Sequence, residues 1–203
     1  MATPEHSIAV FDFDGTITRA DSMMAFLQMV KGRLPFYAEL LRQSPMLLGF
    51  KLGRVPRQTA KERFLTGFLG EIEVATLQEA GATFAQNLLP NLIRPQALER
   101  LRWHQDQGHA CYLCTASLSY WTEAWAREHG MTLVATQGEE VGGRFTGKLR
   151  GINCYGPEKV RRIETLLDSR PDIVYAYGDS AGDRELLQWA DEGRFRPFRD
   201  SKS

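Results

Sequence analysis

The sequence predicts an α/β fold, a doubly wound parallel sheet that is interrupted by an inserted all-helical cap. Three observations predict it: an apolar strand near the start, a helical stretch of about 70 residues, and regular alternation of strands and helices from Pro95 onward. The 203 residues are 43% hydrophobic and 25% charged, which suits one domain carrying a large insertion.

The first predicted element is the strand at 7–13. Its residues 8–11 are apolar without alternation, which is typical of a strand buried on both faces of a sheet. Two acidic residues, Asp12 and Asp14, come directly after this apolar run. A functional site explains carboxylates at this position more simply than core packing does.

The next residues have a helical pattern throughout. An Asp-Ser pair opens the first helix and Gly32 ends it, and the second is expected to break before Pro45, since proline disfavours helix in the residue before it. The predicted helices span 21–32, 35–53, 55–70 and 71–89. We therefore expect a cap at 18–92 and a core made of 1–17 and 93–203.

From Pro95 onward the sequence alternates between the hydrophobic pattern of strands and that of helices. Gly142-Gly143 predicts a hairpin within it. Helices are expected at 95–108, 118–130, 156–168 and 181–190, strands at 109–117, 131–137, 172–180 and 193–198, and the hairpin at 139–149. Such repeated strand–helix units predict a parallel sheet with helices on both faces.

Composition excludes several classes of protein. Lys and Arg together number 25, as do Asp and Glu, so the chain lacks the basic charge of a general nucleic-acid binder. No apolar run approaches the ~18 residues of a membrane span. The polar opening "MATPEHS" and an odd cysteine count predict a cytoplasmic protein. Cys111 and Cys114 are expected in the core, because residues three apart on a strand face opposite ways.

Ligands of an open α/β sheet bind beyond the carboxyl ends of its strands. Asp12, Asp14, Thr115 and Asp179 all lie at the carboxyl ends of predicted strands, and Lys159 lies on a helix that can pack beside them. Crowded carboxylates repel one another, and Mg²⁺, which prefers oxygen ligands, relieves that repulsion. We therefore expect Asp12, Asp14, Asp179 and Asp183 to hold Mg²⁺. A phosphorylated substrate is expected to supply further oxygen ligands to the same metal ion.

Four short segments carry a family resemblance: "DFDGT", "CTAS", "GPEKV" and "GDSAGD". Together and in this order they resemble the motifs of the haloacid dehalogenase superfamily. The helical insertion after the first strand is similar to that of its phosphoserine phosphatase-like branch. The resemblance covers most of the chain.

The resemblance implies a Mg²⁺-dependent phosphatase with an aspartyl-phosphate intermediate. Asp12 would be the nucleophile and Asp14 the general acid and base, while Thr115 and Lys159 would hold the phosphoryl group. Asp12, the Asp14 backbone carbonyl and Asp179 would hold Mg²⁺, and Asp183 would support them. The expected substrate-binding residues are Gly15, Thr16, Asp21, Ala116 and Ser117.

The cap would shape the substrate pocket, and a small soluble phosphorylated metabolite is expected there. Relatives that act on phosphoserine carry a glutamate nine residues after the nucleophile, where this chain has Asp21. Asp21 therefore either contacts a cationic substrate group or caps the helix that follows. Gly15 also departs from the serine of many phosphoserine enzymes, and Arg63 is a poorly matched candidate for a substrate-binding arginine.

Two alternatives stay open. The apolar stretch between Leu34 and Leu52 resembles the apolar caps of lipid-phosphate phosphatases, so membrane contact is an alternative, although not the favoured one. A binding protein without catalysis is disfavoured, because every catalytic position carries a suitable residue. The sequence makes no prediction of oligomeric state.

Overall fold

The computed structural model describes residues 7–199 of the chain. Its main sheet has five parallel strands in the order β3-β2-β1-β6-β7, and a separate antiparallel hairpin is formed by β4 and β5. The strands are β1 (Ile8–Phe11), β2 (Ala110–Leu118), β3 (Thr132–Thr136), β4 (Gly138–Val141), β5 (Arg144–Leu149), β6 (Val174–Gly178) and β7 (Glu192–Phe195).

Eight α-helices accompany the strands within the described residues. They are α1 (Ser22–Lys31), α2 (Arg33–Lys51), α3 (Arg57–Leu69), α4 (Val74–Asn87), α5 (Pro95–Asp106), α6 (Ser119–Glu128), α7 (Pro157–Glu164) and α8 (Arg184–Trp189). Helices α1 to α4 follow one another between β1 and α5, where the sequence predicted a wholly helical segment. The predicted α/β class with a parallel sheet and a helical insertion is confirmed.

Strand β1 lies at the centre of the sheet, between β2 and β6. All four of its residues are fully buried. Ala9 and Phe11 belong to the apolar cluster on one face of the sheet, and Ile8 and Val10 to the cluster on the other. The unbroken apolar run therefore packs on both sides, as predicted.

The cysteine pair also follows the strand rule. Cys111 packs in the first cluster and Cys114 in the second, so the two thiols lie on opposite faces of the sheet. Both are buried, and both are core residues of β2 rather than a paired redox or zinc site.

The expected break in the second helix is wrong. Helix α2 runs unbroken for 19 residues, with Pro45 inside it. Pro45 lies on the exposed side of the helix, where its ring removes one backbone hydrogen bond at the surface. On the other side, Phe36 packs on Phe68 of α3, and the Gln43 amide donates to the Phe64 carbonyl. This packing on α3 outweighs the local cost of proline.

The two connections between the sheet and the inserted helices lie side by side. Thr18 and Ile93 form an antiparallel bridge, and the Arg19 and Arg94 amides donate to the Leu92 and Ile17 carbonyls at 2.8 Å. The predicted domain boundaries at 17–18 and 92–93 lie in these two adjacent connections. The outer limits of the predicted core, residues 1 and 203, lie outside the described residues. In the part of the chain that is described, no helix is both long and apolar enough to cross a membrane.

Candidate active site

The carboxyl ends of β1, β2 and β6 meet at one edge of the sheet. Asp12 follows β1 and Asp179 follows β6. Thr115 lies inside β2, which has the predicted length of nine residues and is shifted by one residue, and the β2–β3 pairing shifts register between Thr115 and Leu118. The strand is therefore irregular at Thr115, and the residues after it turn towards the same edge.

Asp12 is buried against Lys159. The Lys159 ammonium donates to Asp12 Oδ1 at 2.6 Å and to Asp183 Oδ1 at 2.6 Å, and the Thr16 hydroxyl donates to Asp12 Oδ2 at 3.1 Å. Burial would lower the pKa of Lys159, but the two carboxylates outweigh it and hold that pKa well above the usual range. Burial raises the pKa of Asp12 to about 7, although Lys159 opposes the rise.

The acid cluster contains more negative charge than its neighbouring cations balance. Lys159 contacts Asp12 and Asp183, and the Arg199 guanidinium donates to Asp179 Oδ2 at 2.7 Å. One carboxylate oxygen each from Asp12, Asp179 and Asp183 lies within 4.8 Å of the others. Burial raises the pKa of Asp179, and Asp183 raises it further. Hard oxygen ligands at this spacing suit Mg²⁺, and a divalent cation would remove the excess charge. The residues present therefore fit the predicted magnesium site.

Asp183 is held differently from the other two. Its Oδ2 accepts hydrogen bonds from the Asp179 amide at 3.2 Å, the Ser180 amide at 3.0 Å and the Ser180 hydroxyl at 2.8 Å, while its Oδ1 meets Lys159. Lys159 and these bonds lower the pKa of Asp183 even though burial opposes them. Four donors already occupy the Asp183 carboxylate, against two on Asp12 and one on Asp179, so Asp183 suits a supporting role at the cation.

Asp14 points away from this cluster and towards the inserted helices. Its Oδ1 accepts from the Ser22 amide at 2.6 Å, and its Oδ2 accepts from the Ser117 hydroxyl at 2.6 Å. The Trp121 indole donates to the Ser22 hydroxyl at 3.1 Å and so fixes that serine. The Asp14 carboxylate is thus separate from the metal cluster, and its backbone carbonyl as a metal ligand stays a prediction.

Gly15 allows the turn that separates the two aspartates. Its φ is 85°, and a Cβ there would overlap the Asp179 carboxylate, so only glycine fits. The Gly15 amide donates to the Thr18 hydroxyl, and Thr16 donates to Asp12. Neither Gly15 nor Thr16 lines the cavity above the site. Both hold the turn, and their contact with substrate stays a prediction.

The residues after the β2 irregularity line the cavity. The Thr115 hydroxyl accepts from the Ser117 amide at 2.9 Å, which shapes this turn, and the Ser117 hydroxyl orients Asp14. The Ala116 carbonyl accepts from the Lys61 ammonium. Thr115, predicted to hold the phosphoryl group, and Ala116 and Ser117, predicted to bind substrate, thus line the same cavity as Asp14, and the structure adds an orienting role for Ser117.

A cavity of about 440 Å³ lies between the acid cluster and the inserted helices. Helices α1 to α3 give it a largely apolar wall, formed by Met23, Met24, Leu40, Leu47, Phe50, Ala60 and Phe64. Asp21 also lines it, while its Oδ1 accepts from the Met23 amide at 2.9 Å and the Met24 amide at 3.3 Å. Asp21 is therefore the N-cap of α1, and contact with a cationic substrate group stays a prediction.

Two cations that the sequence analysis did not single out reach the cavity from α3. Lys61 donates to the Ala116 carbonyl and, at 2.8 Å, to Asn153 Oδ1, and burial lowers its pKa to about 8. The Arg57 guanidinium lies over the Tyr155 ring, 4.2 Å from its centre. Arg63 is exposed and lies outside the cavity.

The sequence spacing of the α3 side chains that line the cavity indicates that they share one face of the helix. Arg57, Lys61 and Phe64 lie four and three residues apart, on one face of α3, which could have identified the wall. No local pattern indicated Asn153 or Ser22, because each meets its partner only in the fold.

Comparison with known proteins agrees with this site. The family model for haloacid dehalogenase-like hydrolases matches residues 9–188. Protein CicA of Caulobacter vibrioides is 34% identical over 197 residues, which cover 96% of this chain and 88% of that protein. Phosphoserine phosphatase SerB1 of Mycobacterium tuberculosis is 28% identical over 188 residues, covering 88% of this chain and 61% of that protein.

A solved structure has the same fold over nearly the whole chain. The crystal structure of a Bordetella pertussis protein of unknown function has a TM-score of 0.80 and 28% identity, covering 94% of this chain and 89% of that one. The match of the family model spans both β1 with its aspartates and the strands that complete the site. The chain belongs to the haloacid dehalogenase-like hydrolase family.

Proposed function

We propose that this protein is a phosphomonoesterase that works through an aspartyl-phosphate on Asp12. The observation that carries the proposal is the separation of two neighbouring carboxylates. Asp12 is buried beside Lys159 and the acid cluster, whereas Asp14 is held by Ser22 and Ser117 on the substrate side. One relative, phosphoserine phosphatase SerB1, is named for the same chemistry, which supports the proposal.

The proposed reaction has two displacements at phosphorus. An Asp12 oxygen attacks phosphorus while the bond to the ester oxygen breaks, and Asp14 gives its proton to the leaving alkoxide. Asp14 then takes a proton from water, which attacks the aspartyl-phosphate, releases inorganic phosphate and restores Asp12. Lys159 and the Thr115 hydroxyl offset the charge on the phosphoryl oxygens.

We propose Mg²⁺ as the cofactor, held by Asp12, Asp179 and the Asp14 backbone carbonyl, with Asp183 in support. When bound, Mg²⁺ supplies positive charge to the phosphoryl oxygens and to the acid cluster. Support for this site comes from the three acids Asp12, Asp179 and Asp183, whose carboxylate oxygens lie within 4.8 Å of one another.

We propose that residues 18–92 act as the cap that selects the substrate, in the cytoplasm. Asp21, Arg57 and Lys61 bring charge of both signs to the cavity, which suits a small metabolite with an amine and an acid, such as phosphoserine. The apolar wall supplies the second candidate, a phosphate ester with an apolar tail. Leu40, Leu47 and Phe50 offer no partner to a wholly polar substrate.

The test is phosphate release by the wild type and by Asp12→Asn from phosphoserine, other soluble phosphomonoesters and detergent-dispersed lysophosphatidate. We expect Asp12→Asn to keep its fold and to lose all measurable turnover. Asp106→Asn, an exposed aspartate at the end of α5, is the matched control and should match the wild type. Retention of a substantial part of the turnover by Asp12→Asn would overturn the nucleophile assignment.

A further inference from the structure

Helix α2 is apolar on two opposite faces. One face packs inward through the buried Phe36 and through Leu40 and Leu47, which line the cavity. The other presents the outer stripe, which we define as Leu34, Tyr37, Leu41 and Leu48 together with Leu52, the residue directly after the helix. Three of these leucines are seven residues apart, close to two helical turns, so they line one side of the helix.

The outer stripe is unusually exposed for its composition. Leu34 is 84% exposed, Leu41 75%, and Leu48 and Leu52 58% each. Eleven large apolar side chains are exposed among the described residues, and five of them belong to this stripe. Contiguous apolar surface of this kind marks an interaction site, because leaving it in water is costly.

The charge around the outer stripe indicates the partner. The chain has a net charge of zero, but residues 31–54 contain five lysines and arginines and a single acid, Glu39. That acid is paired with Arg42 at 2.6 Å. Arg33 and Lys51 are exposed near the two ends of the helix, where long basic side chains can reach polar headgroups beside a buried apolar face.

We propose that the outer stripe of α2 docks on the surface of an anionic phospholipid bilayer. An apolar face that enters the headgroup region, flanked by exposed cations, fits the physics of an interfacial helix. A second copy of this chain fits less well, because a twofold contact through the stripe would place two positively charged segments against each other.

The docking surface lies on the outside of the cavity wall. Leu40 and Leu47 line the cavity, and the next residue after each, Leu41 and Leu48, points outward. Within the apolar stretch from Leu34 to Leu52, Phe36 and Leu47 therefore face inward, whereas Leu48 faces out. The inference rests on α2 alone and does not depend on the proposed reaction.

The test is co-sedimentation with vesicles of equal parts phosphatidylcholine and phosphatidylglycerol, and with vesicles of phosphatidylcholine only. We expect the wild type to pellet with the anionic vesicles, to pellet little with the neutral ones, and to be released by about 0.5 M NaCl, which screens charges beyond a few ångströms. Leu41→Glu/Leu48→Glu should bind at least about tenfold more weakly, because its apolar face is interrupted by charge.

The matched control is Val141→Glu/Leu166→Glu, which alters two exposed apolar residues outside α2 and should bind like the wild type. Unchanged melting temperatures and p-nitrophenyl phosphate turnover would show that both double variants are folded. Failure of the wild type to pellet, or equal binding by the α2 variant, would overturn the proposal. A dimer in light scattering that the α2 variant dissociates, without vesicle binding, would assign the outer stripe to a second copy instead.

Discussion

At the scale of single residues, the turn after β1 gives two aspartates different surroundings. Only Phe13 stands between them, yet Asp12 meets Lys159 and Thr16 while Asp14 meets Ser22 and Ser117. A nucleophile must be ionised, whereas a general acid must carry a proton. The turn therefore gives the two carboxylates separate hydrogen-bond partners, as two separate roles require.

The first prediction concerns Asp14→Asn. An amide cannot donate its proton to an alkoxide, so turnover of an alkyl phosphate should fall by about 10² to 10⁴. Hydrolysis of p-nitrophenyl phosphate should fall less, because its leaving group is stable without protonation. Steady-state kinetics on both substrates measure the difference, and equal losses on the two would argue against the acid role.

The second prediction concerns the buried His104. Its Nε2 lies 2.7 Å from the Tyr177 hydroxyl and its Nδ1 2.8 Å from His109 Nδ1. Burial lowers the pKa of His104 from about 6.5 to about 3. Below pH 6.5 the unfolded chain binds a proton that the folded protein does not, so the free energy of unfolding contributed by His104 falls as the pH drops from 6.5 towards 3.

The measurement is urea unfolding at a series of pH values, with His104→Gln as the comparison. As the pH falls through this window, the free energy of unfolding of the wild type should drop by up to roughly 1.4 kcal/mol per pH unit more than that of the variant. Parallel pH dependence in the two proteins would show that His104 is not the titrating group.

At the scale of elements, the helices of the insertion attach to the core by close backbone contact. Helix α4 packs on α6 at Gly81, where a Cβ would overlap the Tyr120 carbonyl oxygen. Lys61 of α3 reaches the Ala116 carbonyl of β2. The contact at Gly81 requires a residue without a side chain, whereas the contact from Lys61 requires a long side chain.

The third prediction follows from Gly81. Alanine favours a helix interior by about 1 kcal/mol over glycine, but overlap with a backbone atom costs roughly 1–3 kcal/mol. Gly81→Ala should therefore lower the free energy of unfolding in urea. Gly49→Ala in α2 is the control, because its nearest neighbour is a movable Val55 methyl at 3.2 Å, and it should be neutral or stabilising. The same change in both variants would contradict the packing argument.

At the scale of the whole molecule, the acid cluster joins segments that are far apart in the chain. Asp12 follows the first strand, and Asp179 and Asp183 follow β6. A cation bound among them would stabilise the folded state, because the unfolded chain cannot bring these groups together.

The fourth prediction is that Mg²⁺ raises the melting temperature. At a concentration a hundredfold above its Kd, Mg²⁺ should raise the free energy of unfolding by about 2.7 kcal/mol. Chelation with EDTA should abolish turnover, and Mg²⁺ should restore it while Ca²⁺ should not, because Ca²⁺ takes a larger and looser shell. Asp179→Asn should lose the thermal shift, and Asp168→Asn, an exposed control, should keep it. Full activity after exhaustive chelation would rule out the metal.

The sequence alone determined the features that depend on local pattern. The unbroken apolar run of β1, the acids after it and the alternation beyond Pro95 predicted the sheet, its buried centre and the edge where the site lies. The capping role of Asp21 was one of two alternatives, and the structure shows that it does cap α1. Periodicity and turn chemistry are properties of neighbouring residues, so they can be inferred without the fold.

Only the tertiary structure decided which groups meet. Lys159 contacts Asp12 across 147 residues, and Ser117 contacts Asp14 across 103. Pro45 stays helical because α3 holds α2 on its other side. The pattern showed that α2 is apolar, but not that Leu40 faces the cavity while Leu41 faces solvent. An apolar residue lowers its free energy by burial against any suitable surface, so its partner is set by the packing of the whole chain.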